Sequence, residues 1–220
     1  MVNAEYQREV INQAAFDMLV LCKSQLKKAK EAFILHDEDL AEEVIHTEIR
    51  VNAMDLRIGR DCEKFLALYN PVAIDLRFIM AVLKINSDLE RIADHARNIS
   101  NYVIEDNKKI SSHLIQAVQF EKMYQIINSM LDNITFAYNQ NDVKAARKVF
   151  KKDKILDKIN IKSFCVLEEE IRKDNTIIKE ALLLFSVVKK LERVGDLIKN
   201  IAEEIIFYVD AEVLKHTKKK

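Results

Sequence analysis

Glu90 and Asp94 stand four residues apart, and so do Glu192 and Asp196. On a helix, that spacing stacks two carboxylates one turn apart on one side. Glu48-x-x-x-Asn52 and Asp153-x-x-x-Asp157 carry related pairs earlier in the chain. Oxygen donors of this kind suit hard or borderline cations such as Mn²⁺, Fe or Mg²⁺, and Zn²⁺ also accepts carboxylates. A single pair is a weak signal. With 35 acidic residues in 220 positions, chance alone produces roughly five pairs at this spacing. A solvated helix face with Lys and Arg partners explains any one of them equally well. The repetition adds weight. Leu89-Glu90-Arg91-Ile92-Ala93-Asp94 followed by Asn98-Ile99 recurs about a hundred residues later as Leu191-Glu192-Arg193-Val194-Gly195-Asp196 followed by Asn200-Ile201. The same residues in the same register mark an internal duplication. Four carboxylates on two neighbouring helices repel one another unless cations or protons neutralise them. The residues alone leave both a cation site and a solvated acidic surface open.

Other chemistry is sparse. Arg91 and Arg193 could fork onto carboxylates of a neighbouring helix or of another chain; ordinary surface ion pairs worth little explain them better than a phosphate site does. No Gly-rich loop or other phosphate cradle is present. His95 follows Asp94 in the first copy, whereas Leu197 takes that place in the second, so His95 reads as a surface or boundary residue. Glu43-x-x-His46 has the form used by carboxylate-bridged di-iron bundles, but those need two copies and only one exists. No Ser–His or Cys–His motif suggests a nucleophilic enzyme.

The elements that must position these residues are helices. Gly 2, Pro 1 and Trp 0 leave almost no turn-forming residues for a sheet. Charged residues at 32% beside hydrophobics at 49% fit long amphipathic helices. Leu89, Ile92, Ala96, Ile99 and Val103 form one apolar stripe; Leu191, Val194, Ile198, Ile201 and Ile205 form its counterpart. The spacing predicts six long helices over about 3–35, 40–68, 71–105, 111–138, 143–172 and 177–213. Polar breaks at Asp37, Asn139-Gln140-Asn141-Asp142 and Lys173-Asp174-Asn175-Thr176 separate some of them. Asn70-Pro71 reads as the start of the third helix, with Asn as cap. In the first helix the apolar line is Ile11, Ala15, Met18, Cys22 and Leu26. In the second it is Val44 or Ile45, Ile49, Asn52, Leu56 and Gly59. The polar cluster at Asp106-Asn107-Lys108-Lys109 divides the chain into a first repeat, residues 1–106, and a second, residues 107–220. Each is expected to be an antiparallel three-helix bundle, giving an all-α fold of two tandem, similar bundles. The tail after Lys215, ending in Lys218-Lys219-Lys220, is expected to fray.

The formal charge of zero argues against a dominant polyanion-binding role, nucleic acid included, although the Lys218-Lys219-Lys220 tail is locally basic. Cys22, Cys62 and Cys165 are well separated and odd in number, which reads as reduced core or boundary thiols of a cytoplasmic protein. The N-terminus has no apolar signal core, and the longest apolar run falls far short of the ~20 residues of a membrane helix.

With these motifs in view, nearly the whole chain resembles the PhoU family, cytoplasmic regulators of phosphate-specific transport. Pro71-Val72-Ala73-Ile74-Asp75-Leu76-Arg77 is similar to that family's Pro-Val-Ala-x-Asp-Leu-Arg phrase. The two Leu-Glu-Arg segments resemble its paired Leu-Glu-Arg-Ile-Gly-Asp signatures, with Asn200-Ile201-Ala202-Glu203 continuing the second and Ala93 replacing a usual Gly. The resemblance implies two three-helix bundles, no catalytic activity and a metal-cluster surface, with Fe, Zn or Mn as the metal. On matching positions its ligands are Glu48, Asn52, Glu90 and Asp94 in the first half, and Asp153, Asp157, Glu192 and Asp196 in the second. Asn52 stands where an Asp is common, so the second-half site is expected to fill first. The implied role couples the ATPase subunit of a phosphate ABC transporter to a sensor histidine kinase, as a homodimer that restrains uptake and signalling when phosphate is plentiful. The other readings are a carboxylate-metal enzyme and an accessory bundle for a different phosphate transporter.

Overall fold

The computed structural model describes residues 2–106 and 108–214. Asn107, residues 215–220 and the expected fraying of the tail lie outside them. Eight α-helices run through the described residues: α1 Val2–Leu35, α2 Glu38–Tyr69, α3 Ile74–Glu105, α4 Ser112–Ala117, α5 Phe120–Gln140, α6 Val143–Arg147, α7 Val149–Lys173 and α8 Ile178–Asp210. A short 3-10 turn, Asn175–Ile177, leads into α8. No strand occurs among them.

The predicted breaks have specific causes. Asp37 caps α2 by accepting the Leu40 N–H at 2.9 Å, and Asp142 caps α6 by accepting the Ala145 N–H at 3.0 Å. Each satisfies one orphan donor of a first turn. Asn70 acts differently from the expectation. It closes α2 in the left-handed region, φ 44°, and α3 begins only at Ile74 after the Pro71 turn. Asn tolerates that region better than most residues, and a proline often follows a helix stop. The expected fourth helix is interrupted as well. Gln119 turns left-handed at φ 56°, and the Ser163 hydroxyl donates to the Val118 carbonyl at 3.4 Å. The turn delivers Phe120 into the core, its ring centroid 5.5 Å from that of Phe33. The expected fifth helix tightens at Lys148, which divides α6 from α7.

Helices α1, α2 and α3 form one bundle; α5, α8 and the α6–α7 pair form the other, and α4 packs against α5 and α7. The bundles lie side by side through α3 and α8. Phe78 meets Tyr208 edge-on at 5.6 Å, Lys84 contacts the Glu204 carboxylate at 3.1 Å, and Tyr102 OH lies 2.8 Å from Ser186 Oγ. Partners run up one helix as they run down the other, so α3 and α8 cross antiparallel. Their core stripes are buried as expected, and so is the Ile11–Leu26 line of α1. The α2 stripe keeps Val44 from the expected line and departs from it after that. Ile49 and Leu56 are 66% and 58% exposed, whereas Ala41, Val44, Val51, Ile58, Cys62 and Phe65 are buried. The true line passes through Glu48, a charge that disguised it. Cys22 and Cys62 are buried, but Cys165 is exposed rather than at a core boundary. Among the described residues, no helix is long and apolar enough to cross a membrane.

Candidate functional site

The matched N-caps Asp37 and Asp142 fix the register between α2 and the α6–α7 pair. In that register Glu48 aligns with Asp153, Asn52 with Asp157, and Asp55 with Asn160. The two repeats therefore exchange an acid and an amide one turn apart. The first carries Glu, Asn, Asp and the second Asp, Asp, Asn. Asp55 joins the first cluster, where it helps to raise the pKa of Glu90. Asn86 donates from α3 to the Asp55 carboxylate at 2.6 Å and to its backbone carbonyl at 3.0 Å. The first half thus has four carboxylates, Glu48, Asp55, Glu90 and Asp94. The premise that it is poorer in charge than the second does not hold. Asn52 donates to Glu48 at 2.8 Å, acting as a hydrogen-bond donor to the cluster.

Both clusters contain a side-chain cation that the acid pattern did not reveal. Arg97 lies 2.5 Å from Asp94 and 3.4 Å from Glu48. Its counterpart Lys199 lies 2.7 Å from Asp153 and 3.1 Å from Asp196. Each stands three residues beyond the signature Asp, one turn along the same side. Glu48 and Asp153 are buried, at 7% and 5% exposure, and a buried carboxylate needs such a partner. Asn98 adds a donor to Asp94 at 3.1 Å.

The neutralisation is incomplete. Burial, then Asp94, Asp55 and Glu48, push the Glu90 carboxyl above its ordinary range, with Arg97 opposing them. Burial, then Asp196, raise Glu192, with Asp157 and Asp153 adding to the effect against Arg193. Burial raises Asp153 although Lys199 pulls it down. Burial works against the Lys199 ammonium, but its bonds to Asp153 and Asp196 prevail and push it up to about 12. As packed, no three His, Cys, Asp or Glu side chains converge as metal ligands among the described residues. The donor chemistry fits a hard cation, while Arg97 and Lys199 hold the positions between the acids.

The remaining motif residues divide between structure and surface. Asp75 ties the start of α3 to α1 through Arg8 at 3.3 Å. Pro71 lies in the α2–α3 turn, and Arg77 and Glu203 are half-buried. Among the described residues, the ion pairs of Arg91 and Arg193 are long and local, 3.7 Å to Asp88 and 4.0 Å to Glu192. Glu43 is exposed and pairs with Lys28 at 2.5 Å, and His46 is exposed, so Glu43-x-x-His46 is no core di-iron motif. Exposed apolar residues recur at equivalent places in the two repeats: Leu56 and Ile161, the first next to Asp55 in sequence, Leu76 and Ile178, and Met80 and Leu182 nearer the starts of α3 and α8.

The family model described as the PhoU domain matches twice, over residues 16–103 and 120–205. The chain belongs to the PhoU family. The first match runs from within α1 almost to the end of α3 and the second from the start of α5 into α8, one on each bundle that carries an acidic cluster. The phosphate-specific transport system accessory protein PhoU of Edwardsiella tarda is 32% identical over 214 residues, covering 97% of this chain and 86% of that protein. Its counterpart in Escherichia coli K12 is 30% identical, covering 97% and 87%. The crystal structure of PhoU from Pseudomonas aeruginosa superposes with a TM-score of 0.88 at 27% identity, covering 94% of this chain and 99% of that one. The phosphate transport system regulatory protein PhoU from Streptococcus pneumoniae, at 23% identity and a TM-score of 0.83, shares the fold.

Proposed function

We propose that this PhoU-family chain is a non-enzymatic cytoplasmic regulator of phosphate uptake and of the phosphate-starvation response. It acts as an adaptor between the ATPase subunit of a phosphate ABC transporter and a sensor histidine kinase, and restrains both when phosphate is plentiful. Family membership and the names of its relatives support the phosphate system as the setting. The observation that carries an adaptor role is the duplicated face. Each bundle carries an acidic cluster with a built-in cation, and solvent-exposed apolar side chains at positions that match between the two repeats. Apolar side chains left in water at equivalent places in both repeats suit protein contacts, including a homodimer contact. In this reading the acidic clusters also take Fe, Mn or Zn, which must compete with Arg97 and Lys199.

The test is capture of tagged protein from phosphate-replete cells, followed by metal analysis of what is recovered. The transporter ATPase and the kinase are expected to co-purify. Leu56→Glu with Ile161→Glu should release at least one of them. Recovery of neither partner would refute the adaptor role, and capture of a different phosphate carrier alone would move the chain to that transporter.

A further inference from the structure

Arg91 and Arg193 are about a hundred residues apart in sequence, and the antiparallel crossing of α3 and α8 brings them to one cleft. Arg91, Arg193, Asp196, Leu197 and Asn200 line it, and its volume is about 230 Å³. The two side chains are 57% and 64% exposed, and among the described residues their carboxylate contacts are long, 3.7 Å to Asp88 and 4.0 Å to Glu192, beyond hydrogen-bond range. Each offers five N–H donors in a fork suited to an oxyanion. Asn200 adds an amide that, unlike the equivalent Asn98, is not engaged by the signature Asp. His95 lies within reach of both guanidiniums: burial, then Lys190, lower its pKa, and Arg91 and Arg193 add to that against Asp94.

We propose that this cleft binds inorganic phosphate as a protonated oxyanion, with Arg91, Arg193 and Asn200 donating and Asp196 accepting from the phosphate hydroxyl. Asp196 is what gives the site selectivity. Asp196 lines the cleft, and Lys199 engages one of its carboxylate oxygens, Oδ1, at 3.1 Å. A carboxylate repels an anion that lacks a proton but accepts a hydrogen bond from one that keeps it. Near neutral pH phosphate retains a proton and sulfate does not. The same geometry therefore favours phosphate over sulfate, although the two have the same shape.

The choice of phosphate rests on the regulatory reading above, but the test needs no partner, so the two can fail separately. Chelator-treated full-length chain is titrated calorimetrically with inorganic phosphate and with sulfate at matched ionic strength. Phosphate is expected to bind saturably, in the millimolar range or tighter, and sulfate at least tenfold more weakly. Arg91→Gln with Arg193→Gln should weaken phosphate at least tenfold. Asp196→Asn should bring the two anions to within about threefold of each other. Lys144→Gln with Lys148→Gln, a charge change elsewhere on the surface, should leave phosphate binding intact. Absence of saturable phosphate binding, equal binding of sulfate by the unaltered protein, or indifference to the arginine substitutions would overturn the proposal. An equal loss in the lysine control would overturn it as well.

Discussion

Lys199→Met tests whether a side chain, rather than a bound ion, balances the second acidic cluster. The substitution keeps a long, flexible side chain and removes the ammonium that contacts Asp153 and Asp196. Breaking one partner of a fully buried pair costs about 3–5 kcal/mol, and an exposed pair is worth about 0–1 kcal/mol. The Asp153 side chain is 7% exposed, Lys199 29% and Asp196 39%, which places this site between those limits. A loss of roughly 2 kcal/mol is expected, or about 4–8 °C in Tm for a chain of this size. Added Mn²⁺ or Zn²⁺ should then recover more stability in the variant than in the parent, because four carboxylates now face the ion with no internal competitor. A metal at about a hundredfold over its Kd contributes roughly 2.7 kcal/mol. Differential scanning fluorimetry with and without each ion reads both effects. A variant that melts within about 1 °C of the parent, with no larger metal shift, would refute the counter-ion role of Lys199.

Gly195 sits where α8 passes close to α7, and a Cβ there would collide with Leu156 Cδ1. The equivalent residues in the first repeat are Ala93 and Val51, so one carbon has moved from one helix to the other. Gly195→Ala forces the Leu156 tip to move, an overpacking cost of up to about 1–3 kcal/mol set against roughly 1 kcal/mol gained in helix propensity, and adding Leu156→Val should leave the double variant more stable than Gly195→Ala alone. Glu90, Glu192 and Asp153 have folded pKa values above their unfolded ones. Within that window the folded state binds more protons than the unfolded state, so stability falls as pH rises. Urea midpoints should therefore increase as pH drops from neutral toward the ordinary carboxylate range, and Glu192→Gln should flatten that slope. Exposed Cys165 should be the single thiol that alkylates in native protein, since burial pushes Cys62 up to about 12 and Cys22 further still.

The helical caps and signature stripes were legible because each follows from local rules. Asp37 and Asp142 precede apolar runs, and Leu89 to Val103 steps by three and four. The α2 stripe was misread because Glu48 occupies a core position, which hydrophobic periodicity alone assigns to a neighbour. Asp55 was missed for a related reason. It lies seven residues from Glu48, on the same face but two turns away, and a search at four-residue spacing stops at Asn52. Arg97 and Lys199 did leave a signal, since each stands in the same register after its Asp. Like-for-like comparison of the basic residues in the two repeats would have found them. The meeting of Arg91 with Arg193 had no local signature, because it depends on how α3 crosses α8.

The most direct measurement of the account is a phosphate-responsive reporter in a strain lacking this gene, read in phosphate-replete medium. Without the gene the reporter should be switched on despite abundant phosphate. The unaltered gene supplied in trans should silence it, and the Leu56→Glu, Ile161→Glu version should not. A reporter that stays silent in the deletion strain would contradict the regulatory role.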